Sequence, residues 1–429
     1  MSRIFRTLSF ALIGLVATGS LARAADHVYV PSGAWPTSWV DVVDPQADTL
    51  VTTIKVGTTP RGIAVSPDRR RVYVANQHSD NMSVIETATN SVIATIPLGG
   101  SPFGVAVSPN GSRVYVTNIN DDTVSVIDTS TFTVLRTIAI PASVPWGSGP
   151  RGIVVNPAGT RVYTANWLDS SVTVIDATTN TVIRNIPLGK QAVHLAINPA
   201  GTRLYVGTWP DISQPVDGTA PLFVINTQTN QVIAAPEVAT CESVSVSPDG
   251  ARVYAPHRFN NYVAILDTAT NSVIARVPVT GVAFFGSLNR AGTKLYLVNT
   301  TEFVQTIDTT TFAVTSTRAL VNYGSYAFSN SFVVDSPDPC AGLSVQPGTL
   351  AFPNFGGAAG FQVNAGPNCK WVAYSGAPWA HLSLAAGIGP AFVFVNVDPN
   401  RNPFPRGTTV WVVPAGGSGP GVPVNIYQD

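Results

Sequence analysis

Charge is scarce in this chain. Of its 429 residues, 24 are Lys or Arg and 24 are Asp or Glu, 11% together, and they cancel. Ordinary soluble domains carry about 25%. A nucleic-acid partner needs a basic face to neutralise phosphates, and none is present, so that class of partner is excluded. Cysteine is nearly absent, with three residues, and no Cys-x-x-Cys-His for haem attachment occurs. There is also no Gly-x-Ser-x-Gly elbow, no His-Glu-x-x-His and no phosphate loop, so neither a cofactor nor a metal is expected. Beyond the first two dozen residues no run of 18 consecutive apolar residues appears, so the mature chain is expected to lack a transmembrane anchor.

The first 24 residues read as a signal peptide. Arg3 and Arg6 form a positive start, Leu8 to Val16 an apolar stretch, and Ala22-Arg23-Ala24 a small-residue cleavage site. The product is expected in the periplasm or outside the cell, beginning near Ala25. In such an oxidising address Cys340 and Cys369 are expected to form a disulfide, leaving Cys241 as a buried, inert thiol.

What the chain has in abundance is repetition. Segments VYVPSG, VYVANQ, VYVTNI, VYTANW, LYVGTW, VYAPHR and LYLVNT are anchored on Tyr29, Tyr73, Tyr115, Tyr163, Tyr205, Tyr254 and Tyr296, at intervals of 44, 42, 48, 42, 49 and 42 residues. Within each unit, short runs rich in Val, Ile, Thr and Tyr alternate with turn clusters such as SPNGSR and DTSTFT. A period near forty made of four short strands predicts a radial array, because one four-stranded unit cannot bury both its faces. The N-terminal strands HVYV, WVDVVD and LVTTIKV lack an innermost partner. Gly324 to Ser329 is expected to supply it and to close the ring at seven blades; an alternative in which Phe332 to Val334 displaces the N-terminal strand gives the same count.

These units resemble the YVTN family of propeller repeats, whose motif stands here as YVTN at Tyr115 to Asn118 and YVAN at Tyr73 to Asn76. The resemblance runs over roughly residues 27 to 335 and implies an exported seven-bladed β-propeller. The propeller is placed at 25–335 and a Pro-rich linker at 336–339, after which the period is lost. Residues 340–429 read as short strands of a small Ig-like β-sandwich. That part is similar to BACON domains at Cys369-Lys-Trp371-x-Ala373-x-Ser375, Trp379, Val393 to Val397, Arg406-Gly-Thr408 and Gln428. The resemblance implies carbohydrate or mucin binding, with Trp371, Trp379 and Trp411 as the aromatic groups. Trp371 and Trp379 also fit a core role beside a cysteine, which is the reading preferred here. The expected fold is all-β throughout.

Strand alternation puts the near-identical turns on one face of the ring and the variable loops on the other. The variable loops carry the insertions Ser143 to Gly149 and Pro210 to Ala220, and all five propeller tryptophans, Trp35, Trp39, Trp146, Trp167 and Trp209. His78, His257, Arg258 and Phe259 lie there too, while Arg61, Arg151, His194 and Glu242 stand at the starts of inner strands. Aromatic, His and Arg side chains on loops held by a rigid ring make a binding surface. The ligand-binding candidates are therefore Arg61, His78, Arg151, Trp167, His194, Trp209, Glu242, His257 and Arg258. Asp121, Asp122, Asp169, Asp211 and Glu242 have the oxygen chemistry for Ca²⁺, against which surface solvation is preferred. The leading expectation is a monomeric, non-catalytic binding protein for a protein or extracellular glycan partner. The alternative is a lactonase-like hydrolase at the channel mouth, using Arg61, Arg151, His194 and Glu242.

Overall fold

The structure, a computed structural model, describes residues 27–31, 38–45, 47, 49–209, 220–238, 240–241, 243–257, 259–281, 283–299, 304–317, 333–335, 343–365, 369–402, 404–414 and 422–429. The chain divides into two compact units, Ala25–Asp338 and a second containing Pro339–Asp429. The described residues contain strands and no helix, hence none long and apolar enough to cross a membrane.

The first unit is a seven-bladed propeller of four-stranded sheets. Blade 2 (Pro60–Val65, Arg71–Asn76, Asn81–Glu86, Ser91–Pro97) shows the plan, and blades 3 to 7 begin at Pro102, Pro150, Gln191, Ser245 and Ala283. Blade 1 is assembled from both ends of the unit. Val333–Asp335 is its innermost strand, paired antiparallel with His27–Pro31, which is followed by Trp39–Asp44 and Thr49–Lys55. The closing strand is thus Val333–Asp335 rather than Gly324 to Ser329, which lies outside the described residues. Nor is His27–Pro31 displaced; it stays as the second strand, because its hydrogen-bonding edges are needed on both sides.

Each repeat tyrosine is a packing unit. Tyr29, Tyr73, Tyr115, Tyr163, Tyr205, Tyr254 and Tyr296 are all buried. Tyr73, for example, packs in a cluster that joins Val84 and Ile96 of its own blade to Val105, Val114 and Ile127 of the next. Two residues earlier, an arginine ties blades together on the repetitive face. Arg71 and Arg113 donate from Nη1 to the backbone carbonyls of Thr129 and Ala177, at 2.6 and 2.7 Å, in the following blade. Arg161, Arg203 and Arg252 repeat the link to Thr227, Thr268 and Thr309. The final Asn of the motif works on the opposite face. Asn118 Nδ2 donates to Thr123 Oγ1 and Ser125 Oγ, holding the loop between the second and third strands, and Asn76 and Asn166 do the same in blades 2 and 4.

The second unit has two sheets. Ser344–Gln346, Gly357–Asn364, Ala391–Val397 and Ala380–Leu382 form one, in spatial order. Thr349–Phe352, Val422–Gln428, Arg406–Pro414, Lys370–Ser375 and Ala386–Ile388 form the other, with the first two strands parallel. Inward residues of both sheets share one core around Phe361, Cys369, Trp371, Val393, Val410 and Ile426, giving the expected sandwich. Trp371 is fully buried and its indole N–H donates to Gly389 O at 2.8 Å. Trp379 packs partly buried against the same core beneath the Arg406 guanidinium, 4.2 Å from the ring centre. Trp411 instead faces outward, across the strand pair from exposed Tyr374.

Candidate functional site

Three successive blades begin with the same tripeptide pattern, Pro60-Arg61-Gly62, Pro102-Phe103-Gly104 and Pro150-Arg151-Gly152. The residue before each proline is left-handed: Thr59 at φ 56°, Ser101 at 62° and Gly149 at 57°. Their carbonyls accept the N–H groups of Gln77, Ile119 and Trp167, the residues just past the motif asparagines. Each turn thereby fixes where the next side chain leaves the rim. The glycines let neighbouring inner strands touch, since a Cβ on Gly62 would lie 2.0 Å from Phe103 O and one on Gly104 2.2 Å from Arg151 O. Thr117 Oγ1 links the same strands, accepting from Gly104 N and donating to Arg151 O, both at 2.8 Å.

The result is an arc of alternating guanidinium and aromatic groups. Arg61 Nε donates to Gln77 Oε1 at 2.7 Å, and its guanidinium carbon is 6.0 Å from the Phe103 ring centre. The Arg151 guanidinium carbon lies 5.5 Å from the same ring centre. It also lies 4.0 Å from the Trp167 ring and 5.3 Å from that of Trp209. The two tryptophans meet edge to face, centroids 6.2 Å apart at 77°. Arg61, Arg151, Trp167 and Trp209 are all half-buried. A guanidinium stacked on aromatic faces keeps its donors in plane and directed sideways, and it stays charged at any working pH.

His194 belongs to the inner strand of blade 5, and its Nδ1 accepts Val244 N at 3.3 Å. His78 is exposed on the blade 2 loop. His257 is fully buried at the position the motif asparagine occupies in other blades, three residues after the tyrosine. Its Nδ1 accepts the N–H groups of Phe259 and Asn260, and its ring packs on Tyr262. Burial, with a further contribution from Arg276, pushes its pKa below the ordinary value, which keeps the ring neutral. It holds its own loop, as the asparagines do, and is not a surface group. Glu242 and Arg258 lie outside the described residues, as do Trp35 and Asp211. Of the hydrolase set, Arg61 and Arg151 share the Phe103 ring, and His194 accepts a backbone N–H from Val244.

The acidic residues near the rim hold loops. Asp122 Oδ1 accepts Ser148 N, Ser148 Oγ and Gly149 N, and Asp169 Oδ1 accepts Ser143 N and Oγ, so two carboxylates grip both ends of the Ser143–Gly149 insertion. Trp146 stands exposed at its tip. Asp121 Oδ2 accepts Gly100 N. Burial opposes ionisation of Asp169, but hydrogen bonds from Ser143, Ser171 and Asn185 outweigh it and its pKa lies below 3.8. Among the described residues no three His, Cys, Asp or Glu side chains gather as a metal site. Sequence reasoning missed Phe103 and Gln77. The signal for Phe103 was present in the aligned Pro-x-Gly tripeptides, which place all three x residues at one level of the rim.

Fold and rim together define the class: an all-β protein, a seven-bladed propeller with an arc of Arg and aromatic groups on its variable face, and a β-sandwich after it. The family model of the seven-bladed β-propeller lactonases matches residues 99–300, and that of YNCE-like β-propellers matches residues 17–156. Among solved structures, a chain of Kuenenia stuttgartiensis hydrazine synthase is 21% identical, with 70% of this chain and 99% of that chain covered and a TM-score of 0.58. A putative 6-phosphogluconolactonase from Bacteroides uniformis is 16% identical, over 68% of this chain and 95% of that chain, with a TM-score of 0.55. The Cps50 (Swd1) propeller domain of Myceliophteria thermophila is 10% identical, over 62% and 87%, with a TM-score of 0.52. At these identities the likeness is one of fold. No curated protein sequence matches the chain.

Proposed function

We propose that this is an exported binding protein whose propeller holds an anionic ligand on the arc formed by blades 2 to 5. The observation that carries the reading is Arg151, fixed between Phe103, Trp167 and Trp209 two blade-steps from Arg61. Aromatic rings fix its orientation in advance, so a carboxylate or phosphate meets an ordered fork of donors without having to organise it. YVTN-type repeats supply the rigid ring. The sandwich is read as a BACON-like adhesion or glycan-binding module, supported by the core positions of Cys369 and Trp371 and by Gln428, whose amide reaches Pro353 O and Asp398 O. The leader at residues 1–24 supports export, and a Cys340–Cys369 bridge belongs to the same reading.

Intrinsic fluorescence tests it, because two tryptophans line the arc. Titration of the full chain with citrate, glutamate and phosphate is expected to give a saturable change for at least one anion, abolished in Arg151→Gln. No response to any anion in the unmodified protein would overturn the reading.

A lactone hydrolase at the same mouth is the second reading. It is supported by the lactonase family match, whose span includes Arg151, Trp167, His194 and Trp209. Proton release on mixing with a panel of lactones, reduced in both Arg151→Gln and His194→Ala, would establish it over simple binding.

A further inference from the structure

Phe355 and Phe404 are the most exposed large apolar side chains among the described residues, each 76% exposed, and both stand on loops of the sandwich. One residue joins the two loops. Asn400, itself buried, donates its backbone N–H to Asn354 O at 2.7 Å and its amide Nδ2 to Phe404 O at 2.9 Å. The first loop is a tight turn in which Gly356 N donates to Pro353 O at 3.0 Å, and Gly356 sits at φ 85°, where a Cβ would come within 2.5 Å of Val397 O. Gln428 Nε2 donates to Pro353 O at 3.1 Å and to Asp398 O at 2.9 Å, and Arg406 Nη2 donates to Asp398 O at 2.6 Å. The carbonyls of Pro353, Asn354, Asp398 and Phe404 are thus all answered from inside the unit. The second tip reads Pro403-Phe404-Pro405, so the residues on either side of this ring carry no N–H.

We propose that this end of the sandwich docks on the surface of a lipid bilayer, with Phe355 and Phe404 lowered together into the interface. A protein partner can hydrogen-bond a loop's backbone or leave it wet, but hydrocarbon can do neither. Backbone that enters it must have its polar groups satisfied within the protein or lack them, which is what the held carbonyls and the two prolines provide. Arg401, exposed beside the second loop, then lies at the level of the lipid phosphates. The other charges nearby do not make a basic patch: Asp398 pairs with His381 at 3.1 Å, Arg406 is stacked on Trp379, and Asp429 is acidic. Attachment is therefore apolar, reversible and independent of anionic lipid. It concerns the second unit alone and leaves ligand recognition on the arc.

The test is co-sedimentation of the full chain with phosphatidylcholine vesicles, with and without added phosphatidylglycerol. The unmodified chain is expected to pellet with both to a similar extent. Phe355→Ser/Phe404→Ser should lose at least about tenfold in partitioning, as the removal of two rings from the interface implies. Tyr374→Ala/Trp411→Ala, which strips an exposed pair from a sheet face, should pellet like the unmodified chain. Because both phenylalanines are exposed, circular dichroism and melting of the serine variant should be unchanged. Phe404→Trp gives a second readout, in which its added emission shifts to the blue with vesicles and is quenched by brominated acyl chains. No pelleting of the unmodified chain, undiminished pelleting of the serine variant, or an indole at 404 that neither shifts nor is quenched would each overturn the proposal. Pelleting only with phosphatidylglycerol would overturn it in favour of attraction by charge. Self-association without lipid, abolished in the serine variant, would overturn it by assigning the loops to a second copy of this chain.

Discussion

Thr164 Oγ1 donates to Asn166 Oδ1 at 2.9 Å in blade 4, so the motif asparagine there has both ends of its amide bonded. In blades 2 and 3 the corresponding residues are Val74 and Val116, and Oδ1 of Asn76 and of Asn118 is buried without a donor. Val116→Thr adds the missing hydroxyl at nearly constant volume. It is expected to stabilise the propeller by about 0.5–1 kcal/mol, where a Val→Thr change in an apolar core would destabilise it. Chemical denaturation of the two proteins side by side checks the sign.

The same positions show what the sequence carried and what it hid. Tyrosine spacing, turn chemistry and strand composition follow from local periodicity, so the blade number and the plan of each blade were legible. The closing strand was not, because Val333–Asp335 pairs with residues three hundred positions away and no local pattern distinguishes it from the apolar residues before it. His257 looked like a site residue because histidine on a loop titrates and binds. Only its alignment with the motif asparagines, three residues past each tyrosine, reveals a loop holder. Arg151 was legible as a rim charge, and the alignment of the Pro-x-Gly tripeptides puts Phe103 at the same level, but the contact of its ring with both arginines was not legible. Contacts between inner strands depend on the circular closure rather than on neighbours in sequence.

Arg113 should behave as a link between blades. Its Nη1 reaches Ala177 O across the boundary between blades 3 and 4. Arg113→Ala is expected to destabilise by about 1–2 kcal/mol through one lost hydrogen bond and a carbonyl left without its donor. Arg136→Ala, on the exposed outer strand of blade 3, should change stability by less than about 0.5 kcal/mol. Equal effects of the two substitutions would remove the link from the account.

Acid should release the Ser143–Gly149 insertion. Asp169 has a folded-state pKa below 3.8, so the stability it contributes is present above pH 3.8 and is lost as pH falls through the lower folded value. Hydrogen exchange at residues 143–149 is expected to be slow at pH 5 and to exceed the intrinsic pH trend only below pH 3.8. Asp122→Ala, which removes the acceptor of Ser148 and Gly149, should speed exchange there at pH 5 as well.

Cysteine chemistry gives a prediction for the second unit. Cys241 is a buried thiol outside any disulfide and should react with alkylating reagent only after unfolding. Cys340 and Cys369 should appear as one linked peptide in a non-reducing digest. Such a bridge would close a 30-residue loop and contribute roughly 3 kcal/mol in the chain-entropy picture. Alkylation of both residues in the untreated protein would contradict it.

Limited proteolysis should cut between about Asp335 and Cys340 and leave two resistant fragments, since the two compact units meet there in sequence. A single melt with no protected propeller fragment would argue against independent folding.

The central claim is that recognition lies on the arc around Arg151 and not on the sandwich. Its most direct measurement is calorimetric titration of an acidic ligand into three full-length proteins: the unmodified chain, Arg151→Gln, and the double variant Tyr374→Ala/Trp411→Ala, which strips the exposed aromatic pair from the sandwich. The account predicts that Arg151→Gln weakens binding at least tenfold, about 1.4 kcal/mol, while the double variant binds like the unmodified chain. Undiminished binding by Arg151→Gln together with loss in Tyr374→Ala/Trp411→Ala would contradict it and move the site to the sandwich.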